Sequence, residues 1–129
     1  MNKRRPTKAV NVGGVQVGGD APITVQSMTK TDTRDVAATI RQIHELEEAG
    51  CEIIRCAVPD VEAAKALAEI KRQVRIPVVA DIHFHHQLAL ESLESGVDCL
   101  RLNPGNIRNR DQVETVVREA KARSVPIRI

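Results

Sequence analysis

The chain has 129 residues, of which 42% are hydrophobic and 28% are charged, as is typical of one globular domain or part of one. Its 19 lysines and arginines nearly balance 17 aspartates and glutamates, so the net charge of +2 does not indicate a nucleic-acid-binding protein. No apolar run approaches the roughly 18 residues of a membrane span. No apolar run follows the basic first ten residues either, so we do not expect them to be a signal peptide. We therefore expect a cytoplasmic protein without nucleic acid or membrane partners.

Two short β-prone runs near the start are separated by Gly13-Gly14. Glycine readily adopts the positive φ angles of tight hairpin turns, so the sequence predicts an antiparallel hairpin with strands at 8–12 and 15–17. The predicted organisation is a hairpin with a lead-in at residues 1–21, followed by a repeating part at residues 22–129.

In the repeating part, short apolar runs alternate with helical patterns. The predicted strands cover residues 23–28, 52–58, 78–82, 97–102 and 126–129. The four predicted helices lie between them and begin after Thr31-Asp32-Thr33, at Asp60, near Gln87 and at Asn109. Apolar residues of the first helix recur at helical spacing, at Val36, Ile40, Ile43 and Leu46.

This order is (βα)4β, an α/β fold with a parallel sheet. Either a doubly wound open sheet or about half of a TIM-type β/α barrel, ending in the fifth strand, would fit it. The absence of a glycine-rich phosphate loop after any strand disfavours a dinucleotide-binding sheet.

Charged residues stand late in every predicted strand after the first: Arg55, Asp81, Arg101 and Arg128. Catalytic groups of β/α barrels come from these strand ends and point into one pocket, so the pattern favours the barrel. Three arginines converging there would suit a diphosphate or a similar dianion. The alternative for any one residue is an exposed edge position or an ion pair, such as Asp81 with Arg101.

Asp81 and His83 are two residues apart, so both side chains are expected on one face of the strand. The pair could transfer protons, or it could be structural. His83-x-His85 also resembles a metal-hydrolase pattern, but His85 and His86 are expected in a turn. The loop 103–106, which begins with Asn103, is either an anion contact or an ordinary turn.

Cys51, Cys56 and Cys99 show no close metal-type spacing and lie in apolar runs. We expect all three to be buried and reduced.

Five motifs, in order, resemble 4-hydroxy-3-methylbut-2-en-1-yl diphosphate synthase: residues 22–29, 50–55, 79–84, 101–106 and 126–129. The resemblance implies reductive conversion of 2-C-methyl-D-erythritol 2,4-cyclodiphosphate in the methylerythritol phosphate route of isoprenoid biosynthesis. It implies substrate binding in a β/α barrel, and a separate C-terminal domain holding a [4Fe-4S] cluster through three cysteines and a glutamate. Ferredoxin or flavodoxin would supply the electrons.

The same resemblance implies roles for individual residues. Arg55, Arg101 and Arg128 would hold the diphosphate, and Asn103 and Gln26 would lie near the substrate. Asp81 and His83 would be the polar catalytic pair of the third strand. The chain's own cysteines match no cluster ligand, so we expect residues 1–129 alone to be inactive and to bind no metal.

Two other functions are compatible with the pattern. One is a non-redox β/α-barrel enzyme acting on a phosphorylated or pterin-like substrate, or a metal hydrolase using His83. The other is a non-catalytic half-barrel that associates with itself. Exposed strand edges and apolar helix faces lead us to expect a homo-oligomer in any case.

Overall fold

The computed structural model describes residues 10–17, 24–82, 85–102 and 110–128. The strands are β1 (Val10–Val12), β2 (Val15–Val17), β3 (Gln26–Met28), β4 (Ile53–Val58), β5 (Val78–Ile82), β6 (Cys99–Leu102) and β7 (Ile127–Arg128). The helices are α1 (Val36–Glu48), α2 (Val61–Gln73), α3 (His86–Glu94) and α4 (Arg110–Ala122).

The main sheet has five parallel strands in the order β3-β4-β5-β6-β7, so each strand pairs with its neighbour along the sequence. All four helices contribute to one buried cluster with residues of a single face of this sheet. Examples are Ile54 and Leu100 of the sheet, which share the cluster with Ile43, Leu67 and Val116 of the helices. A doubly wound sheet would reverse its strand order and carry helices on both faces. The prediction of a partial β/α barrel is therefore confirmed.

The sheet is strongly curved. The guanidinium Nη1 of Arg128 on β7 donates a hydrogen bond of 2.7 Å to the amide Oε1 of Gln26 on β3. In a flat sheet these two strands would lie about 19 Å apart, four spacings of roughly 4.8 Å, which is beyond the reach of the two side chains. The face opposite the helices is therefore concave, and its two edge strands face each other.

The predicted hairpin is present, with β1 and β2 paired antiparallel. The φ angles of +55° at Gly13 and +92° at Gly14 match a type I′ turn, which suits the twist of a two-residue hairpin. Val12 is 3% exposed and packs against Ile53, Val79 and Cys99, the concave residues nearest the amino ends of their strands. The hairpin thus covers one end of the concave face and leaves the other end for polar side chains.

The prediction of the α1 cap at residues 31–33 was wrong. Asp35 is the N-cap, and its carboxylate accepts a hydrogen bond from the Ala38 amide at 3.2 Å. The earlier candidates have other partners: Asp32 pairs with Arg34 at 2.7 Å, and the Thr33 hydroxyl donates to the Ala57 carbonyl at 2.7 Å.

The other helix starts agree more closely with the sequence. Asp60 caps α2 by accepting a hydrogen bond from the Ala63 amide at 2.9 Å, as predicted. His86, which was placed in a turn, is instead the first residue of α3, and His85 is its N-cap. The predicted start of the fourth helix at Asn109 lies outside the described residues.

β5 has the predicted bounds, whereas the other four strands of the sheet begin later than the sequence patterns suggested. β6 begins at Cys99 rather than residue 97, since the Val97 amide still bonds the Ser92 carbonyl of α3 at 3.4 Å. Among the described residues, no helix combines the length and apolar character needed to cross a bilayer. The three cysteines are buried and free, as predicted.

Candidate functional site

A polar layer lies on the concave face, beyond the end covered by the hairpin. Side chains alternate between the two faces of a strand, so the residues of one face follow from the strand register. Asp81 is aligned with Arg101, and Arg101 with Arg128, across three adjacent strands. The layer also contains Arg55 of β4, together with Gln26 and Met28 of β3.

Asp81 is at the centre of this polar layer and is only 5% exposed. Its Oδ1 accepts a hydrogen bond of 3.0 Å from Arg101 Nη1. Its Oδ2 lies 3.6 Å from Arg55 Nε, which is an ion pair rather than a hydrogen bond. One buried carboxylate therefore holds two arginines from the strands on either side of it.

The charge of Arg55 is only partly compensated. Its Nη2 donates to the thioether Sδ of Met28 at 3.3 Å, and a thioether is a weak, uncharged acceptor. Its Nε is buried without a hydrogen-bond partner among the described residues. Such a guanidinium retains N–H groups that a stronger acceptor could engage.

Arg128 is bonded to the neutral amide of Gln26, so this contact leaves its positive charge uncompensated. Cys99 lies on the same face of the sheet, in the apolar cluster that the hairpin covers. Burial raises the pKa of the Cys99 thiol to about 11, although the nearby Arg128 guanidinium partly opposes the rise. The thiol is therefore protonated at neutral pH and is not an activated nucleophile.

The polar layer carries an excess of positive charge. Among its described residues, three guanidinium groups face one carboxylate, so two positive charges remain without a counter-charge in the layer. Arg55 and Arg101 are 31% and 43% exposed, which leaves both accessible to a ligand. A cavity of about 190 Å³ opens on the β3 side of this layer and is lined by Gln26, Ser27, Met28 and Arg55. The arrangement suits a dianion with several oxygen acceptors, such as a diphosphate.

The structure brings together five of the residues selected from the sequence: Gln26, Arg55, Asp81, Arg101 and Arg128. Their roles remain predictions.

His83 and Asn103 lie outside the described residues, so the pairing of His83 with Asp81 and the anion contact of Asn103 also remain predictions. The sequence reasoning missed Met28. The period-two pattern from Gln26 could have found it, because residues 26 and 28 share a face.

The cysteines of this chain do not fit an iron–sulfur cluster. Cys56 belongs to the cluster on the helix side of the sheet, whereas Cys99 belongs to the concave side. The thiol of Cys51 is buried and bonded to the Ile53 carbonyl at 3.1 Å. Within the described ranges, no group of three or more histidine, cysteine, aspartate or glutamate side chains is placed to hold a metal ion. No chemical step through a cluster can be derived from these residues.

Comparison with known proteins relates the chain to one family. The profile described as the GcpE TIM-barrel domain matches residues 7–129. The 4-hydroxy-3-methylbut-2-en-1-yl diphosphate synthase (flavodoxin) of Thermodesulfovibrio yellowstonii is 60% identical over 129 residues, 100% of this chain and 37% of the relative. The protein of that name from Clostridium acetobutylicum is 58% identical over 127 residues, covering 98% of this chain and 36% of the relative. The chain thus spans little more than a third of these relatives.

Solved structures of other barrels resemble the fold. Dihydropteroate synthase from Xanthomonas albilineans, in complex with 7,8-dihydropteroate, superposes with a TM-score of 0.67 at 16% identity. The match covers 95% of this chain and 48% of that one. A mandelate oxidase variant with 2-hydroxy-phenylacetamide superposes with a TM-score of 0.62 at 11% identity, and the match covers 98% of this chain and 63% of that one. At these identities the likeness extends to the fold alone.

Proposed function

The chain belongs to the GcpE TIM-barrel family, and on that premise we propose that its polar layer binds the diphosphate of 2-C-methyl-D-erythritol 2,4-cyclodiphosphate. The whole protein would be an oxidoreductase of isoprenoid biosynthesis that forms 4-hydroxy-3-methylbut-2-enyl diphosphate. The names of relatives that are 58–60% identical support this activity. Residues 1–129 would be the N-terminal portion of its substrate-binding barrel.

The observation that carries the proposal is the partial neutralisation of Arg55 and Arg101 by Asp81. Each guanidinium has five N–H donors, and Arg101 donates to Asp81 through Nη1. The remaining donors can form the paired hydrogen bonds that phosphate oxygens accept. Asp81 would keep the two like-charged side chains in place in the free protein, while Arg128 would add the third positive charge.

Asp81 and His83 are proposed as the groups that move protons as the ring opens, with Asn103 as a further substrate contact. The carboxylate would also orient the imidazole if the two side chains share the strand face that their spacing predicts.

The reaction is reductive, and the protein side chains described here supply no electrons. The electrons therefore have to come from a centre that these residues do not hold, which we propose to be a [4Fe-4S] cluster elsewhere in the whole protein. Flavodoxin, which appears in the names of the relatives, is the proposed donor to that protein. Residues 1–129 alone are expected to give no turnover with an artificial electron donor, and measurable turnover would contradict this.

Binding of inorganic pyrophosphate, measured by isothermal titration calorimetry, tests the anion site directly. Substituting alanine for Arg55, Arg101 or Arg128 should weaken binding about 10- to 100-fold, since a charge-assisted hydrogen bond contributes about 1.5–3 kcal/mol. Arg110→Ala is the matched control, because the Arg110 side chain is 91% exposed and lies on α4. Equal affinity in all four variants and the parent chain would refute the proposed site.

A further inference from the structure

The hydrogen bond between Gln26 and Arg128 joins the two edge strands of the sheet. The residues are 102 positions apart in sequence, and the bond length is 2.7 Å. It spans the concave face beside the cavity that Gln26 lines. Gln26 was selected from the sequence as a substrate contact, but its carbonyl oxygen is already used by a guanidinium.

Arg128 needs such support more than the other two arginines do. Arg55 and Arg101 are both held by the carboxylate of Asp81. Arg128 is exposed, and its side-chain partner among the described residues is the neutral amide of Gln26. A long, flexible side chain in that position samples many rotamers unless another group fixes it.

The chemistry of glutamine suits this support. Its amide oxygen accepts a hydrogen bond without neutralising the arginine, so the positive charge stays available to an anion. A carboxylate in the same position would fix Arg128 equally well but would cancel its charge. Asp81 already supplies one negative charge to the layer, and a second would leave only one net positive charge for a dianion.

We infer that Gln26 is a positioning residue: it holds Arg128 in the orientation that grips the phosphate oxygens, and it does not itself need to contact them. The inference rests on the proposed function. It predicts that the effect of Gln26 on anion affinity depends entirely on the presence of Arg128.

A double-mutant cycle with inorganic pyrophosphate, followed by calorimetry on the 129-residue chain, tests this. Gln26→Ala should weaken binding about 3- to 10-fold, the cost of ordering one long side chain at the moment of binding. Gln26→Met, which keeps the length but lacks the amide oxygen, should behave in the same way. In an Arg128→Ala background, Gln26→Ala should cause no further loss.

Gln26→Glu tests the charge balance of the polar layer, whereas the double-mutant cycle separates positioning from direct contact. It should fix Arg128 but reduce affinity as much as Arg128→Ala, because the site loses a charge. Gln16→Ala is the matched control, since Gln16 is an exposed strand residue of the hairpin. Circular dichroism of every variant should match the parent, because Gln26 is exposed and its removal opens no core.

The outcomes separate this inference from the function on which it rests. If the parent chain binds pyrophosphate and Gln26→Ala binds it with the same affinity, the inference is overturned but the proposed anion site is not. A loss on Gln26→Ala that persists in the Arg128→Ala background would also overturn it, in favour of direct contact between Gln26 and the anion. If the parent chain does not bind pyrophosphate, the proposed anion site is overturned together with this inference.

Discussion

Gly13 should be far less tolerant of substitution than its neighbour Gly14, although both occupy the same hairpin turn. Both have positive φ angles, so alanine at either position costs about 1–2 kcal/mol of backbone strain. A Cβ at Gly14 would meet no atom within 4 Å. A Cβ at Gly13 would lie 2.8 Å from Asp98 Cγ and from Pro77 Cβ.

Neither neighbour of Gly13 can readily move aside. The Asp98 carboxylate accepts hydrogen bonds from Lys71 Nζ at 2.6 Å and from the Val78 amide at 2.8 Å, and Pro77 is a rigid ring. The hairpin would have to lift instead, which would expose the buried side chain of Val12. Burial of a valine contributes about 1.5–3 kcal/mol. We therefore expect Gly13→Ala to destabilise the chain by about 2.5–5 kcal/mol and Gly14→Ala by about 1–2 kcal/mol.

Urea denaturation followed by circular dichroism gives both free energies of unfolding. Amide hydrogen exchange adds a local test: Gly13→Ala should lose protection in β1 and β2 before the main sheet does. The reasoning would be refuted by equal destabilisation in the two variants, because the backbone strain is shared and only the clash differs.

Two further predictions concern buried groups. Ser92→Ala should stabilise the chain by about 1 kcal/mol, because the Ser92 hydroxyl is buried without a hydrogen-bond partner among the described residues. The control Ser95→Ala should destabilise it by a similar amount in urea denaturation, since the Ser95 hydroxyl donates to the Ala64 carbonyl at 2.7 Å; the reverse order would contradict this. Burial raises the pKa of the Cys99 thiol from 9.0 to about 11, so its stabilising contribution is complete below pH 9 and is lost as pH rises through about 11. Unfolding free energies between pH 8 and 11 should fall less steeply in Cys99→Ala than in the parent, and parallel profiles would count against a role of Cys99.

The sequence predicted which residues share the concave face because the pleat of a strand is a local property. Arg55, Asp81 and Arg101 could be placed together from alternation and from their positions late in consecutive predicted strands. The α1 cap could not, because Asp32 and Thr33 are both good capping residues and only the folded chain shows that they bind Arg34 and Ala57 instead.

No sequence pattern could predict the contact between Gln26 and Arg128. It depends on the curvature of the whole sheet, which builds up over four strand pairings and leaves no periodic signal in any one strand. The same curvature brings Gln26 of β3 within hydrogen-bond distance of Arg128 of β7, the contact on which the inferred positioning role of Gln26 rests.

The span of 102 residues between Gln26 and Arg128 also has a consequence for the order of folding. Each strand pairs with the next one along the chain, so most of the sheet can be assembled from contacts of short sequence separation. The bond across the concave face closes a much longer loop and should be among the last contacts to form. During synthesis, β3 and its Gln26 would leave the ribosome well before Arg128. The proposed anion site would therefore be complete only after the helices and strands between β3 and β7 have folded.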